Sequence, residues 1–159
     1  MERVLAMKLS GAGLFMLLLA AGPAGAQNLD NLQTMVSAGG SCPVFSVGSE
    51  RYSCSGFVYT KFRNGRVSFT FPMADTAISF SGGRDSQPSL DNYVLFVDAI
   101  RISAGRGEVR SAQASGRCRM NASDDGLVIH SLSCTAETDR QEMRIEFRGN
   151  GKPVNRRSF

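Results

Sequence analysis

The chain has 159 residues, of which 42% are hydrophobic and 20% are charged, and it contains four cysteines, one histidine and no tryptophan. These proportions are close to those of an average globular protein, so a disordered chain, a collagen, a coiled coil and a membrane protein with many spans are excluded. A chain of this length accommodates one folded domain.

Segment 1–26 has the three parts of a secretory signal peptide. Arg3 and Lys8 give a positive start, residues 14–21 form an apolar centre, and residues 24–26 are the small residues of a cleavage site. The apolar run is shorter than the roughly 20 residues that span a bilayer. We therefore predict a periplasmic or secreted bacterial protein that keeps no transmembrane anchor after cleavage.

Removal of this segment leaves a mildly basic chain, with 16 Lys and Arg against 13 Asp and Glu and a net charge of +3. Cations concentrate near the end, where we predict a basic C-terminal tail at 150–159. Such charges suit an anionic envelope component or an acidic protein, although a solvated strand face with a basic tail is the favoured explanation. No nucleic acid is expected, because no RNA-binding or helix-turn-helix motif accompanies the charge.

The segment that follows the leader has helical spacing. Leu29, Leu32 and Val36 recur every three to four residues and are followed by Gly39 and Gly40. A glycine pair is a typical helix stop. We predict a short N-terminal helix and linker at 27–40.

The four cysteines are informative because an oxidising compartment lets thiols pair. In two of the possible pairs the midpoint is a glycine, Gly48 or Gly126. Each pair can therefore face its partner across a hairpin with glycine in the turn, the second one only with a three-residue loop or a bulge. The predicted disulfides are Cys42–Cys54 and Cys118–Cys134.

Alternating apolar residues predict strands through most of the chain. The clearest hairpin has an Asn64-Gly65 turn that pairs Arg63 with Arg66, and 76–80 and 143–147 alternate similarly. Residues 93–97 are apolar on both faces, which indicates a central strand, and 82–92 reads as a long connection.

These strands predict one disulfide-bridged β domain at 41–149. The fold class is all-β, an antiparallel meander of about eight strands, with a closed barrel preferred to a sandwich because consecutive hairpins dominate.

Catalytic motifs are sparse. His130 has no Gly-x-Ser-x-Gly partner motif, and strand alternation places it beside Leu132 and Cys134 as a half-buried packing residue. The adjacent carboxylates Asp124 and Asp125 fit a turn better than an acid–base pair. With the cysteines used in bridges, we expect no enzyme, no metal and no cofactor.

A glycine cluster gives the candidate binding residues. Two glycines relax the backbone while an arginine and an aspartate project, so this loop can present a contact to a partner, or it can be an ordinary strand connection. The candidate residues are Ser81, Gly82, Gly83, Arg84 and Asp85.

Two short motifs add a resemblance. Tyr52-Ser53-Cys54 at the start of a strand, and Ser79-Phe80-Ser81-Gly82 before a strand with a tyrosine, resemble the periplasmic inhibitors of c-type lysozyme. The resemblance implies a small disulfide-bearing β-barrel that blocks the enzyme with a Ser-Gly loop. The chain departs from that pattern in its second cysteine pair and in having Asp85 near the position of the loop tyrosine.

Three functions follow in order. The first is an exported, non-catalytic binding or inhibitor module, because the predicted export and bridges agree with the missing catalytic groups. The second is a structural or assembly protein of the cell envelope. The third is inhibition of c-type lysozyme through the loop Ser81 to Asp85.

Overall fold

The computed structural model describes residues 31–159, except the side chain of Arg106. The predicted signal peptide lies outside the described residues. Within residues 31–159, no helix is long and apolar enough to cross a bilayer. The strands of this part of the chain are β1 (Leu32–Val47), β2 (Glu50–Arg51), β3 (Gly56–Phe62), β4 (Val67–Pro72), β5 (Thr76–Gly82), β6 (Arg84–Ser89), β7 (Asn92–Ala104), β8 (Glu108–Ala122), β9 (Ile129–Glu137), β10 (Glu142–Gly149) and β11 (Asn155–Ser158).

Eight of these strands form a closed antiparallel barrel, which confirms the predicted all-β meander. Their order is β10-β9-β8-β7-β5-β4-β3-β1, and pairing of β10 with β1 closes the wall. The three short strands lie outside this ring, since β2 and β11 pair with β1, and β6 pairs with β7. Most neighbours in the ring are consecutive in the chain, as in an up-and-down barrel.

The predicted N-terminal helix is wrong for every described residue from Leu32 onward, because β1 replaces it. Leu32 and Val36 are buried on one face of this strand. Their four-residue spacing fits the two-residue repeat of a strand as well as the helical repeat. Gly40 ends no helix: a Cβ there would lie 2.1 Å from the carbonyl oxygen of Arg148, so glycine lets β1 approach β10 closely.

The first disulfide lies where β1 changes its buried face. The register of β1 against β10 shifts between Ser41 and Val44, around Pro43, which lacks the N–H that a regular ladder uses. Cys42 and Cys54 are joined at this bulge, with their Cα atoms 5.3 Å apart. Cys54 lies in the irregular segment between β2 and β3, so the predicted pair forms beside the short β1–β2 hairpin and not between two facing strand residues.

The second disulfide joins two residues that are direct partners on neighbouring strands. Cys118 of β8 and Cys134 of β9 are direct partners, their Cα atoms are 4.0 Å apart, and both are fully buried. The expected bulge is present between Asn121 and Ala122. Both predicted disulfides are confirmed, and they indicate an oxidising extracellular environment.

The predicted Asn64-Gly65 hairpin is confirmed with a register one residue away from the expected one. Lys61 pairs with Val67, and the N–H of Phe62 donates to the carbonyl oxygen of Arg66, which leaves a three-residue loop at 63–65. Gly65 has a φ of +83°, the left-handed conformation in which glycine is favoured. A three-residue loop with glycine in this position is a standard alternative to the two-residue turn.

Two segments predicted as irregular are strands at the rim. Residues 84–89, within the predicted connection, form β6, and residues 155–158, within the predicted basic tail, form β11. All of β6 and β11 is exposed. Both segments are polar, and polar composition is typical of loops. They are extended because β6 pairs with β7 and β11 pairs with β1.

Aromatic side chains fill the barrel interior. Phe57 lies at the centre, with ring centroids 5.0 Å from Phe147, 5.8 Å from Phe69 and 6.0 Å from Phe71. All four rings are at most 2% exposed. Because side chains pack this interior, surfaces for binding lie at the barrel ends and on its outer wall.

Candidate functional site

The five candidate residues form a sharp step between strands instead of a projecting loop. Ser81 and Gly82 end β5 and are buried, Gly83 is the bend, and Arg84 and Asp85 begin β6. A Cβ on Gly82 would lie 1.9 Å from the carbonyl oxygen of Phe96, so only glycine fits there. The structure therefore presents Arg84 and Asp85 to solvent and withdraws the Ser-Gly pair.

Asp98 fixes this bend. Its carboxylate accepts hydrogen bonds from Nη2 of Arg66 at 2.5 Å and from the backbone N–H of Gly83 at 3.3 Å. Nη2 of Arg66 also donates to Oγ of Ser81 at 3.1 Å. The hydrogen bonds from Arg66, followed by that from Gly83, hold the pKa of the Asp98 carboxyl below its usual range.

We expect Asp98→Asn to destabilise the protein slightly and in a pH-dependent way. Because the pKa of the Asp98 carboxyl is lower in the folded than in the unfolded protein, the ionised group stabilises the fold at any pH above the ordinary carboxyl pKa. This stabilisation disappears as the pH falls through the pKa of the folded state. The difference in unfolding free energy between the two proteins should be below about 1 kcal/mol at pH 7, because the pair is largely solvated. Urea denaturation from pH 7 to pH 3 measures it, and a difference that grows toward low pH would contradict the assignment.

Arg84 belongs to a cationic cluster on the outer wall. Phe96 of β7 is the direct partner of both Arg84 in β6 and Arg117 in β8, so these side chains share one face. The guanidinium carbons of Arg84 and Arg117 lie 4.3 and 5.3 Å from the centre of the Phe96 ring. Arg119 lies two residues further along β8 on the same face. We call Arg84, Phe96, Arg117 and Arg119 the arginine face.

The cations of the arginine face have no counter-charge among the residues that the structure describes. Ion pairs within residues 31–159 join other arginines to carboxylates, and no described carboxylate lies within 4.0 Å of Arg84, Arg117 or Arg119. The Phe96 ring attracts two guanidinium groups that otherwise repel each other. This arrangement orients the cations while leaving their hydrogen-bond donors free for an external anion.

The neighbourhood of the arginine face is open and polar. A surface depression of about 620 Å³ lies among these side chains and the hydroxyl groups of Ser115, Ser133 and Thr135. Hydroxyl groups add hydrogen-bonding capacity beside the guanidinium groups. A shallow surface of this kind suits an extended anionic partner better than an enclosed small molecule.

Asp85 faces the other way, into a cleft of about 430 Å³ at one end of the barrel. Its carboxylate accepts a hydrogen bond from the hydroxyl of Tyr93 at 2.6 Å, and the rings of Tyr93 and Tyr59 pack edge to face with centroids 6.0 Å apart. Burial raises the pKa of both tyrosines, and the Asp85 carboxylate raises that of Tyr93 further. Both hydroxyls therefore stay protonated at neutral pH and act as hydrogen-bonding groups.

His130 and Asp125, the side chains considered for catalysis, have separate structural surroundings. His130, predicted as half-buried, is exposed because it is the extra residue of a bulge in β9, which buries Ile129 in its place, and within residues 31–159 its ring has no hydrogen-bond partner. Asp125 accepts hydrogen bonds from Ser123 at 2.5 Å and from the N–H of Leu127 at 2.9 Å, so it orders a turn. Among the described residues, no group of three His, Cys, Asp or Glu side chains could hold a metal.

Comparison of the chain with protein-family models, with curated proteins and with solved structures gives no significant match. The small disulfide-bearing barrel implied by the lysozyme-inhibitor resemblance is present, but its Ser-Gly contact would have to come from Ser81 and Gly82, which are buried.

Sequence reasoning found Arg84 and missed the rest of the arginine face. Phe96 lies in the apolar run 93–97 of the sequence, and Arg117 and Arg119 belong to no motif that the sequence analysis identifies. Strand alternation could have placed them on one outer face, because Leu95, Val97 and Cys118 are buried between them. To predict that they lie close together, one must also know the register of β7 with β6 and with β8.

Proposed function

We propose that this chain is an exported, non-catalytic binding module that holds an anionic component of the cell envelope on its arginine face. The observation that carries the proposal is the pair of arginines over the Phe96 ring with Arg119 on the same face, all three without a carboxylate partner among the described residues. Guanidinium groups bind phosphate and carboxylate oxygens in a bidentate way, so the partner carries such groups.

The surroundings of the arginine face support a glycan or glycolipid partner over a protein. Hydroxyl side chains border the cations, and the depression is shallow. Protein interfaces of high affinity usually have a buried apolar centre, whereas here Phe96 is engaged by the two arginines. The two disulfides suit a protein that works in an oxidising compartment outside the cytosol.

The experiment measures binding of the oxidised mature protein to lipopolysaccharide, which carries phosphates, and to peptidoglycan, which carries carboxylates. We expect the double variant Arg84→Ala/Arg117→Ala to bind the preferred polymer about tenfold or more weakly, because each charge-assisted hydrogen bond contributes about 1.5 to 3 kcal/mol. Phe96→Leu keeps all charges but loses the ring that orients them, so an intermediate loss is expected.

The matched control is Arg157→Ala, which removes an exposed cation from β11. This strand pairs with β1 and not with β7 or β8, which carry the arginine face. We expect this variant to bind like the unmodified protein. Equal losses in the control and in the double variant would indicate a net-charge effect and contradict the arginine face. Inhibition of c-type lysozyme, measured alongside with the same variants, tests the protein-partner alternative.

A further inference from the structure

The barrel wall is incomplete beside the first half of β8. This strand starts at Glu108, but its pairing with β9 begins only at Ser115. Residues 108–113 pair with β7 alone, and within residues 31–159 no strand adjoins the other edge of residues 108–114. Exposed edges of this kind carry backbone N–H and C=O groups that can pair with another chain.

A cleft of about 850 Å³ lies along this open edge. Ala112 pairs with Ile100, and Arg110 pairs with Ile102, so these side chains share the face that turns toward the cleft. Met143 of β10 lies across the cleft beneath the turn that joins β9 to β10. The cleft therefore combines a free strand edge with an apolar floor.

One end of the cleft is acidic. Glu137, the last residue of β9, is the direct partner of Glu142, and the turn between them carries Asp139 and Arg140, so this end has three carboxylates and one guanidinium group. Like charges that face each other across strands are unfavourable. No described cation lies within 4.0 Å of these carboxylates. A basic group brought by a partner would relieve this repulsion.

We propose that the open edge of β8 binds an extended segment of a partner protein as an added antiparallel strand, with a lysine or arginine beside Glu137 and apolar side chains entering the cleft at alternate positions. The added strand continues the line of β9, so its amino end lies at the acidic end of the cleft. Backbone pairing supplies affinity, and the apolar floor with the acidic end supplies specificity.

A second copy of this chain is a poorer occupant. The side chains that its β8 would bring to the cleft are Arg110, Ala112 and Ala114, and the two alanines are too small to fill a space of this volume. A partner with larger apolar residues at alternate positions fits the cleft better.

The probe is the capped peptide Lys-Thr-Val-Thr-Val-Thr-Val, labelled at its carboxyl end, in a fluorescence anisotropy titration with the mature protein. We expect saturable binding. A peptide of the same composition with its three valines consecutive, and a peptide with Glu in place of Lys, should each bind on the order of tenfold more weakly. Methylation of alternate peptide amides on the paired edge should abolish binding.

Two substitutions separate the cleft from the outer face of the wall. Ala112→Trp fills the cleft and should abolish peptide binding, whereas Arg101→Trp places the same ring on the outer face of β7, outside the cleft, and should leave binding unchanged. Circular dichroism confirms that both variants fold. If both fail to fold, protection of the amides of residues 108–114 from hydrogen exchange on peptide addition is the deciding measurement.

The proposal is overturned if the alternating and consecutive peptides bind equally, or if neither binds while the protein is folded. It is also overturned if the mature protein sediments as a dimer that Ala112→Trp converts to monomers, because a second copy would then occupy the edge. The double variant Arg84→Ala/Arg117→Ala should bind the peptide normally, which keeps this outcome independent of the arginine face.

Discussion

Replacement of Phe57 by alanine is expected to lower the free energy of unfolding by about 3 to 5 kcal/mol, the usual cost of removing a buried ring. The ring is 2% exposed and contacts Phe147, Phe69 and Phe71, with the closest centroid 5.0 Å away. Closed strands on every side limit how far the wall can collapse into the space that is left. Urea denaturation monitored by circular dichroism measures the change.

Leu90→Ala is the control for this prediction, because Leu90 is 72% exposed at the turn after β6. Its effect should stay within about 0.5 kcal/mol. A loss below about 1 kcal/mol for Phe57→Ala would mean that the interior repacks freely, in contradiction to a barrel filled by interlocking rings.

Removal of the Cys118–Cys134 bridge is expected to cost about 2 to 5 kcal/mol. The double variant Cys118→Ala/Cys134→Ala loses the cross-link of a loop with a sequence separation of 16, and it also leaves space at two fully buried positions. The two effects add, since one acts on the unfolded chain and the other on the packed core. Thermal and urea unfolding of the oxidised proteins measure the loss.

The Cys42–Cys54 bridge provides the comparison. Its sequence separation of 12 is similar, but its cysteines are only partly buried beside the bulge of β1. We expect Cys42→Ala/Cys54→Ala to cost less than the variant of the other bridge. The reverse order would show that burial of the sulfur atoms in the β8–β9 wall contributes little.

The main features of the fold could be predicted from the sequence because they depend on local patterns. Alternating residues marked the strands, and glycines midway between cysteines marked the two hairpins that the disulfides bridge. The helix prediction failed because Leu32 and Val36 are four residues apart, a spacing that a strand face also satisfies.

Local patterns were insufficient wherever a bulge changed the face of a strand. The bulge between Asn121 and Ala122 turned His130 outward, against the alternation predicted for β9. A three-residue loop similarly moved the β3–β4 register by one residue. A shift of one residue exchanges the two faces of a strand, so the sequence could place the strands but not all of their side chains.

The candidate site depended still more on long-range pairing. Arg84 and Arg117 are 33 positions apart in the sequence, and they meet only because β6 and β8 both pair with β7 at Phe96. The open edge of β8 also follows from strand lengths, since β9 stops at Glu137 while β8 extends seven residues beyond their last pair. Neither surface has a motif in the sequence.

The most direct test of the arginine face is an NMR titration of the mature protein with the phosphorylated core oligosaccharide of lipopolysaccharide, observed at the arginine Nε–H groups. The account predicts saturable shifts at Arg84, Arg117 and Arg119 with one common dissociation constant, and unchanged signals at Arg156 and Arg157. Shifts confined to the arginines of β11, or equal shifts at all exposed arginines, would contradict it.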